Sequence, residues 1–190
     1  MKKRIAGILT AALIGTTVMG TVVMAAPSGA IDVISREDGS GTRGAFVELF
    51  GIEEEKDGEK VDMTTQEASI TNNTDVMLTT VAGDENSIGY VSLGSLNDTV
   101  KAVKIDGAEA TAENVADDTY KVARPFNIVT GDKLSDAAQD FINYIMSEDG
   151  QKIISANKYI EVANSGAFTS TNPKGKIVVA GSSSVTPVME

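Results

Sequence analysis

Hydrophobic and polar positions divide this chain into short runs of alternating character. The segment "AIDVIS" (30–35) has the Ile and Val content of a buried strand. Residues 36–39 read as a turn. The apolar pattern then resumes, predicting a helix from about Ser40 to Phe50 that Gly51 stops. "EEEKDGEK" (53–60) reads as an acidic, solvated loop without the oxygen-ligand spacing of a cation site. "NTDVMLTTVAG" (73–83) predicts a short helix with an Asn or Thr cap and a glycine stop. "SIGYVSLGSL" (87–96) reads as a strand and a turn. "TVKAVKI" (99–105) alternates as a strand that Asp106-Gly107 turns. Thr111 opens a brief helical turn. "YKVARPFNIVT" (120–130) is extended, with Pro125 keeping Arg124 out of the helical region. After Ser135, residues Ala138, Phe141, Ile142 and Ile145 recur at i, i+3, i+4 and i+7, one face of an amphipathic helix. "SEDGQKIISAN" (147–157) is a second helix capped by Ser147. "KYIEV" (158–162) and "KIVVA" (176–180) read as strands, and "GSSSVTPVME" closes the chain. Strands alternating with helices predict an α/β fold around a largely parallel sheet.

Residues 1–26 stand apart from that pattern. "MKKR" is a positive start, "IAGILTAALIGTTVMGTVVM" is apolar, and "VMAA" supplies small residues for cleavage after Ala25 or Ala26. The expectation is a signal peptide. An uncleaved anchor is the alternative, since the run is long enough to span a membrane. Either implies export to the periplasm or the cell surface. No lipid-attachment cysteine is present.

Composition narrows the chemistry. Cys and His are both absent, which removes thiolate and imidazole nucleophiles, histidine bases, disulfides and nearly all transition-metal sites. Cofactors are expected to be none. The formal net charge is −11, or −14 once Lys2, Lys3 and Arg4 leave with the signal peptide. No basic face suited to nucleic acid can be assembled from so few cations. An anion site would have to work locally, through backbone amides and one or two arginines.

Two loops have that character. "AIDVISREDGSGTRGAF" and "KIVVAGSSSVTPVME" each run from an apolar strand through a Gly/Ser loop to a helix start. A helix start presents unpaired N–H groups and partial positive charge. Glycine allows close backbone approach, and hydroxyls add donors on the same rim, so each loop is a candidate oxyanion cradle. Either loop alone is equally a plain N-cap. Arg36 sharpens the first, because a guanidinium fork matches two oxygens of a phosphate. The competing reading of Arg36 is a surface pair with Glu37 or Asp38, which would contribute little. Arg43 reads as solvated, with a cleft lip as the alternative. The first loop is neither a G-x-x-x-x-G-K-[ST] loop nor a G-x-S-x-G elbow.

"SREDGSGTRGAF" resembles the anion-binding signature of the phosphate-binding proteins of phosphate ABC transporters. "IVVAGSSSVTPVME" resembles the segment that opens their mature chain. "SIGYVSL", "YKVARPFNIVT" and "AAQDFINYIMSEDGQKII" follow the family's pattern too. The resemblance implies an α/β, periplasmic-binding-protein-like (type II) fold of two lobes, with inorganic phosphate and an ABC permease as partners. It implies phosphate contacts from Arg36, Ser40, Gly41 and Thr42 in one lobe and from Ser182, Ser183 and Ser184 in the other. The two segments stand in the reverse of the family's order, as a circular permutation would leave them. The expected organisation is a signal peptide (1–26), an anion-binding lobe (27–118) and a partial second lobe (119–190) with exposed apolar edges. Hinge candidates fall near Gly89 and at 123–125. The family's further serine and its acceptor aspartate have no counterpart, and Asp38 reads as a turn residue. Phosphate binding by the 190-residue chain is therefore expected to be weak or absent. The alternatives are another oxyanion such as sulfate or molybdate, a surface interaction module on the same fold, or a serine-dependent phosphatase.

Overall fold

The computed structural model describes residues 29–190, so the signal or anchor segment lies outside the described residues. In chain order the elements are β1 (Asp32–Arg36), α1 (Gly41–Leu49), β2 (Glu53–Lys56), β3 (Glu59–Asp62), β4 (Ser69–Thr71), α2 (Thr74–Gly83), β5 (Ser87–Ile88), α3 (Ala112–Ala116), α4 (Asp136–Ile145), α5 (Glu148–Ala156) and α6 (Thr186–Met189). Single 3-10 turns occupy Leu93–Ser95 and Ser183–Val185. The architecture is α/β.

The helices begin where side-chain caps dictate. Ser40 accepts from the Arg43 amide, Asn73 from those of Asp75 and Val76, and Thr111 from that of Asn114. Ser135 and Ser147 do the same for α4 and α5. Each satisfies a first-turn N–H that the helix itself leaves unpaired. Gly51, at φ 63°, follows α1 in the left-handed conformation that ends helices.

β1 lies at the centre of a parallel sheet of order β4-β1-β5. Its register pairs Ile34 with Ser69, Arg36 with Thr71, and Asp32 with Ser87. The Glu37 amide extends the β1–β4 ladder by donating to the Thr71 carbonyl. Chain direction matters here. From β1 the chain crosses through α1 to place β4 on one side; from β4 it crosses through α2 to place β5 on the other. Adjacent strands β1 and β4 thus send their connections opposite ways, and the crevice at the carboxyl ends of such a pair is where open α/β sheets bind ligands. Ile34, Val47, Met77 and Leu78 form the core between sheet and helices. Phe46 of α1 stacks on Tyr90 at 4.1 Å.

Three expectations are corrected. Residues 53–60 are not a loop, because β2 and β3 form an antiparallel hairpin pairing Glu53 with Asp62 and Lys56 with Glu59. Asp57 and Gly58 supply the positive φ that a tight hairpin turn requires, at 55° and 83°. The acidic composition of this stretch concealed the Asp-Gly signal. Next, 99–104, 120–130, 158–162 and 176–180 form no strands, and β5 is only two residues long. β-propensity describes a fit to a paired surface, and no ladder runs beside these segments. Many of their apolar side chains stay exposed, Val129 and Val178 at 89% each. Finally, Arg43 is not solvated. Its Nε donates to Asp62 at 2.7 Å, and its Nη1 to Asp38 at 2.8 Å and to the Arg36 carbonyl at 2.9 Å. It fastens the hairpin to the turn after β1.

Candidate anion-binding site

The turn that follows β1 is built by its own backbone. Ser40 N–H donates to the Glu37 carbonyl, and Gly39, at φ 79°, takes the left-handed conformation between them. The chain then enters α1 with Gly41 and Thr42 at its start, beside the end of β1. The second loop reaches the same place from the far end of the chain. There the Ser182 hydroxyl accepts from the Ser184 amide and starts the 3-10 turn that runs into α6.

The two loops interlock. Arg36 and Ser183, 147 positions apart, are joined by an Nη1–Oγ hydrogen bond of 3.1 Å. The Thr42 and Ser184 hydroxyls lie 2.6 Å apart, both buried. Thr42 Oγ1 is also 3.5 Å from Ser183 Oγ. Gly41 lies directly against Ser182, where a Cβ on Gly41 would stand 2.9 Å from the Ser182 oxygen. So Arg36, Gly41, Thr42, Ser182, Ser183 and Ser184 converge. Ser40 is the exception. Its hydroxyl is committed to the Arg43 amide at 3.3 Å, and no hydrogen bond joins it to 181–184 among the described residues.

Arg36 departs from the expected picture in two ways. The pair with Glu37 exists, but Arg36 is only 3% exposed, so this is no surface contact. Its fork also faces Glu37 rather than the loop. Nε and Nη2 donate to the two carboxylate oxygens at 2.9 and 3.0 Å. Nη1 donates to Ser183 and, at 3.4 Å, to Thr74. Four of the five guanidinium protons are therefore engaged by protein oxygens. The hydrogen bond from Arg36 holds the Glu37 carboxyl below the ordinary glutamate value. Together they make a charge-neutral pair, with the hydroxyls of Ser183 and Thr74 on the remaining edge of the guanidinium.

Several contributors gave little sign of themselves in the sequence. Thr74 opens α2 at the carboxyl end of β4, and its Oγ1 is 3.5 Å from Ser183 Oγ. A hydroxyl residue just after the Asn73 cap was the available signal. The Tyr90 hydroxyl accepts from the Arg36 amide at 3.0 Å and lies 2.9 Å from Ser35 Oγ, fixing the last residues of β1. The Tyr159 hydroxyl donates to the Ser184 carbonyl at 2.6 Å, and burial pushes its pKa upward. Arg124 Nη2 donates to the Gly41 carbonyl at 2.9 Å. These contacts span up to 109 positions and follow no periodicity.

The cluster offers donors without a base. The Ser183 hydroxyl has Arg36, Thr42 and Thr74 as its partners, and no Asp, Glu or Lys bonds to Ser40 or Ser183 among the described residues. No group of three or more acidic residues suited to a metal ion occurs among the described residues, nor any helix long and apolar enough to cross a membrane.

Comparison with known proteins gives the chain a family and named relatives. A family model described as the PBP superfamily domain matches residues 15–149. Phosphate-binding protein PstS 2 of Streptococcus agalactiae is 57% identical over 164 residues, 85% of this chain and 56% of that protein. The protein of the same name from Streptococcus pneumoniae is 45% identical over 191 residues, 96% of this chain and 66% of its own length. Among solved structures, a phosphate-binding protein of a phosphate ABC transporter from S. pneumoniae superposes with a TM-score of 0.70 at 48% identity, covering 85% of this chain and 63% of that one. A protein from Clostridium perfringens, described as a phosphate ABC transporter substrate-binding protein and crystallised with phosphate, gives 0.62 at 43% identity over 70% and 52%. The chain thus spans between 56% and 66% of the length of the two curated relatives.

Proposed function

Since the chain belongs to the PBP superfamily domain family, we propose that it is an exported solute-binding protein that holds inorganic phosphate and delivers it to an ABC transporter permease. The observation that carries this reading is the bond between Arg36 and Ser183, which ties two Gly/Ser loops into one hydroxyl-lined cluster at the crevice of the sheet. Phosphate oxygens would take the place of the contacts the hydroxyls now make with one another, and the α1 amides would face them. Arg36, Gly41, Thr42, Ser183 and Ser184 are the contact residues, with Ser40 and Ser182 shaping their loops. The relatives are named for phosphate binding, and one neighbour holds phosphate.

The division into an anion-binding lobe at 27–118 and a partial second lobe at 119–190 belongs to the same reading. Every strand among the described residues lies within the first of these segments. Hinge motion near Gly89 and 123–125 would couple binding to delivery. A serine-dependent phosphatase has less support, because no Asp, Glu or Lys is hydrogen-bonded to Ser40 or Ser183 among the described residues.

Equilibrium titration of the full chain with inorganic phosphate, and with sulfate in parallel, tests the proposal. Saturable phosphate binding, weaker than submicromolar, is expected. Absence of saturable binding at millimolar phosphate overturns it, and equal competition by sulfate transfers the site to another oxyanion. Turnover of a chromogenic phosphate ester would favour the enzyme instead.

A further inference from the structure

We infer that Gly94 is a positioning residue of the anion site: it admits the Tyr159 ring against the 92–96 turn, and Tyr159 in turn holds the loop that carries Ser183 and Ser184. The inference rests on the phosphate reading above. A Cβ built on Gly94 would fall within the Tyr159 ring, against Cε2, Cζ and Oη. Gly94 does not have a positive φ, so space rather than backbone conformation requires glycine here. Two further contacts seat the ring. Lys158 Nζ donates to the Leu96 carbonyl at 3.2 Å, which fastens the same turn to the residue before Tyr159. Phe126 packs edge-on to Tyr159 with ring centroids 5.9 Å apart. The end of α5 fixes the backbone. Tyr159 N–H donates to the Ile154 carbonyl at 3.2 Å, and Lys158 takes the left-handed conformation that ends helices, at φ 66°.

So placed, the Tyr159 hydroxyl donates to the Ser184 carbonyl at 2.6 Å. Burial raises its pKa, so the phenol keeps its proton and remains a donor at neutral pH. Ser184 is then held at three points. Its carbonyl accepts from Tyr159, its amide donates to Ser182 Oγ at 3.2 Å, and its hydroxyl lies 2.6 Å from Thr42 Oγ1. Of the three, only the Tyr159 contact comes from outside the two Gly/Ser loops.

The same stretch of chain also serves the first loop. Tyr90, four residues before Gly94, accepts from the Arg36 amide at 3.0 Å. Residues 90–94 therefore bear on the end of β1 through Tyr90 and on 182–184 through Tyr159. This short connection sets the spacing of the two loops, and with it the reach of Ser183 to an oxyanion held by Arg36.

The test is a double-mutant cycle on the full chain. Wild type, Gly94→Ala, Tyr159→Ala and the double variant are titrated with inorganic phosphate by calorimetry, with Tyr159→Phe as a fifth protein. Amide exchange at Ser184 and Val185 is followed without ligand, and thermal melts confirm folding. Gly94→Ala pushes the ring off the turn and is expected to weaken phosphate binding about fivefold, the effect of losing one hydrogen bond. In the Tyr159→Ala background the methyl meets no ring, so it should cost less than about twofold. Tyr159→Phe keeps the ring against Gly94 and removes only the donor. It too should bind about fivefold more weakly, and it carries the test if Gly94→Ala does not fold. In the free protein, Gly94→Ala and Tyr159→Phe should both speed exchange at Ser184 and Val185 and leave α4 unchanged. A merely structural role would lower the melting temperatures and leave phosphate affinity and these two amides as in wild type; that result overturns the inference. A Gly94→Ala cost that is the same with and without the Tyr159 ring overturns it too. Absence of saturable binding by the wild type overturns the phosphate reading instead, and exchange at Ser184 and Val185 then decides the positioning role by itself.

Discussion

Replacing Gly41 with alanine places one methyl group between the two loops. The new Cβ would lie 2.9 Å from Ser182 Oγ and 3.1 Å from Ser182 Cβ. Carbon contacts rest at about 3.5–4.0 Å, so the 181–184 loop must retreat by roughly half an ångström. Rotating the serine hydroxyl does not solve this. Its Cβ remains too close, and rotation breaks the bond it accepts from the Ser184 amide. The same retreat would stretch the 3.1 Å bond between Arg36 and Ser183 to about 3.6 Å, beyond hydrogen-bond distance. A hydrogen bond to a charged group contributes about 1.5–3 kcal/mol, so phosphate affinity should fall by about 10- to 100-fold. Folding should change far less, because alanine in a helix gains up to about 1 kcal/mol over glycine, which offsets the crowding. Gly44→Ala is the internal control, three residues along the same helix with open space where its Cβ would go. It should raise stability by up to about 1 kcal/mol and leave phosphate affinity unchanged. Calorimetric phosphate titration and thermal melts of both variants provide the readout. Phosphate affinity in Gly41→Ala within about threefold of wild type would refute the packing of the two loops as the basis of the site.

Other substitutions probe the groups that brace it. Glu37 has a depressed pKa, chiefly from the Arg36 hydrogen bond. Its stabilisation is therefore present above the ordinary glutamate pKa and disappears as pH falls through the lower folded value; urea melts across acidic pH should show that loss in wild type and not in Glu37→Gln. Asp62 is also depressed, because its hydrogen bonds with Thr64 and Arg43 outweigh a burial effect that raises it. Asp62→Asn should weaken the tie between the hairpin and α1, seen as faster amide exchange over 53–62 with little change in α4 and α5. Tyr159→Phe removes the donor to the Ser184 carbonyl, and should weaken phosphate binding by about fivefold or more, as one hydrogen bond of about 1 kcal/mol predicts; unchanged binding would mean that the second loop holds itself in place.

Much of this molecule was legible in order of residues, and the legible parts share a cause. Ser40, Asn73, Thr111, Ser135 and Ser147 mark helix starts because each cap closes a bond two or three residues away. Asp106-Gly107 turns the chain for equally local reasons, with φ values of 51° and 85°. Strands were the failure. "TVKAVKI" and "KIVVA" carry strong β patterns and join no sheet, the first making only a bridge from Ile105 to Ala108, while "EEEKDGEK", dominated by charge, forms a hairpin. A strand is a relation between two segments, and alternation within one of them says nothing about the presence of the other.

The candidate site divides along the same line. The sequence by itself supplied the candidates: a serine- and glycine-rich turn beside an arginine, a second such turn at the far end, and no His or Cys to serve either as a base. Only the tertiary structure decided what those residues do to one another. It gave the arginine fork to Glu37, left Ser40 as a cap, moved Arg43 from solvent into a brace, and brought in Thr74, Tyr90 and Tyr159. The direction of each hydroxyl proton depends on which oxygens and nitrogens lie within about 3 Å of it, and the chain's crossings over a parallel sheet set those distances between residues as many as 147 positions apart.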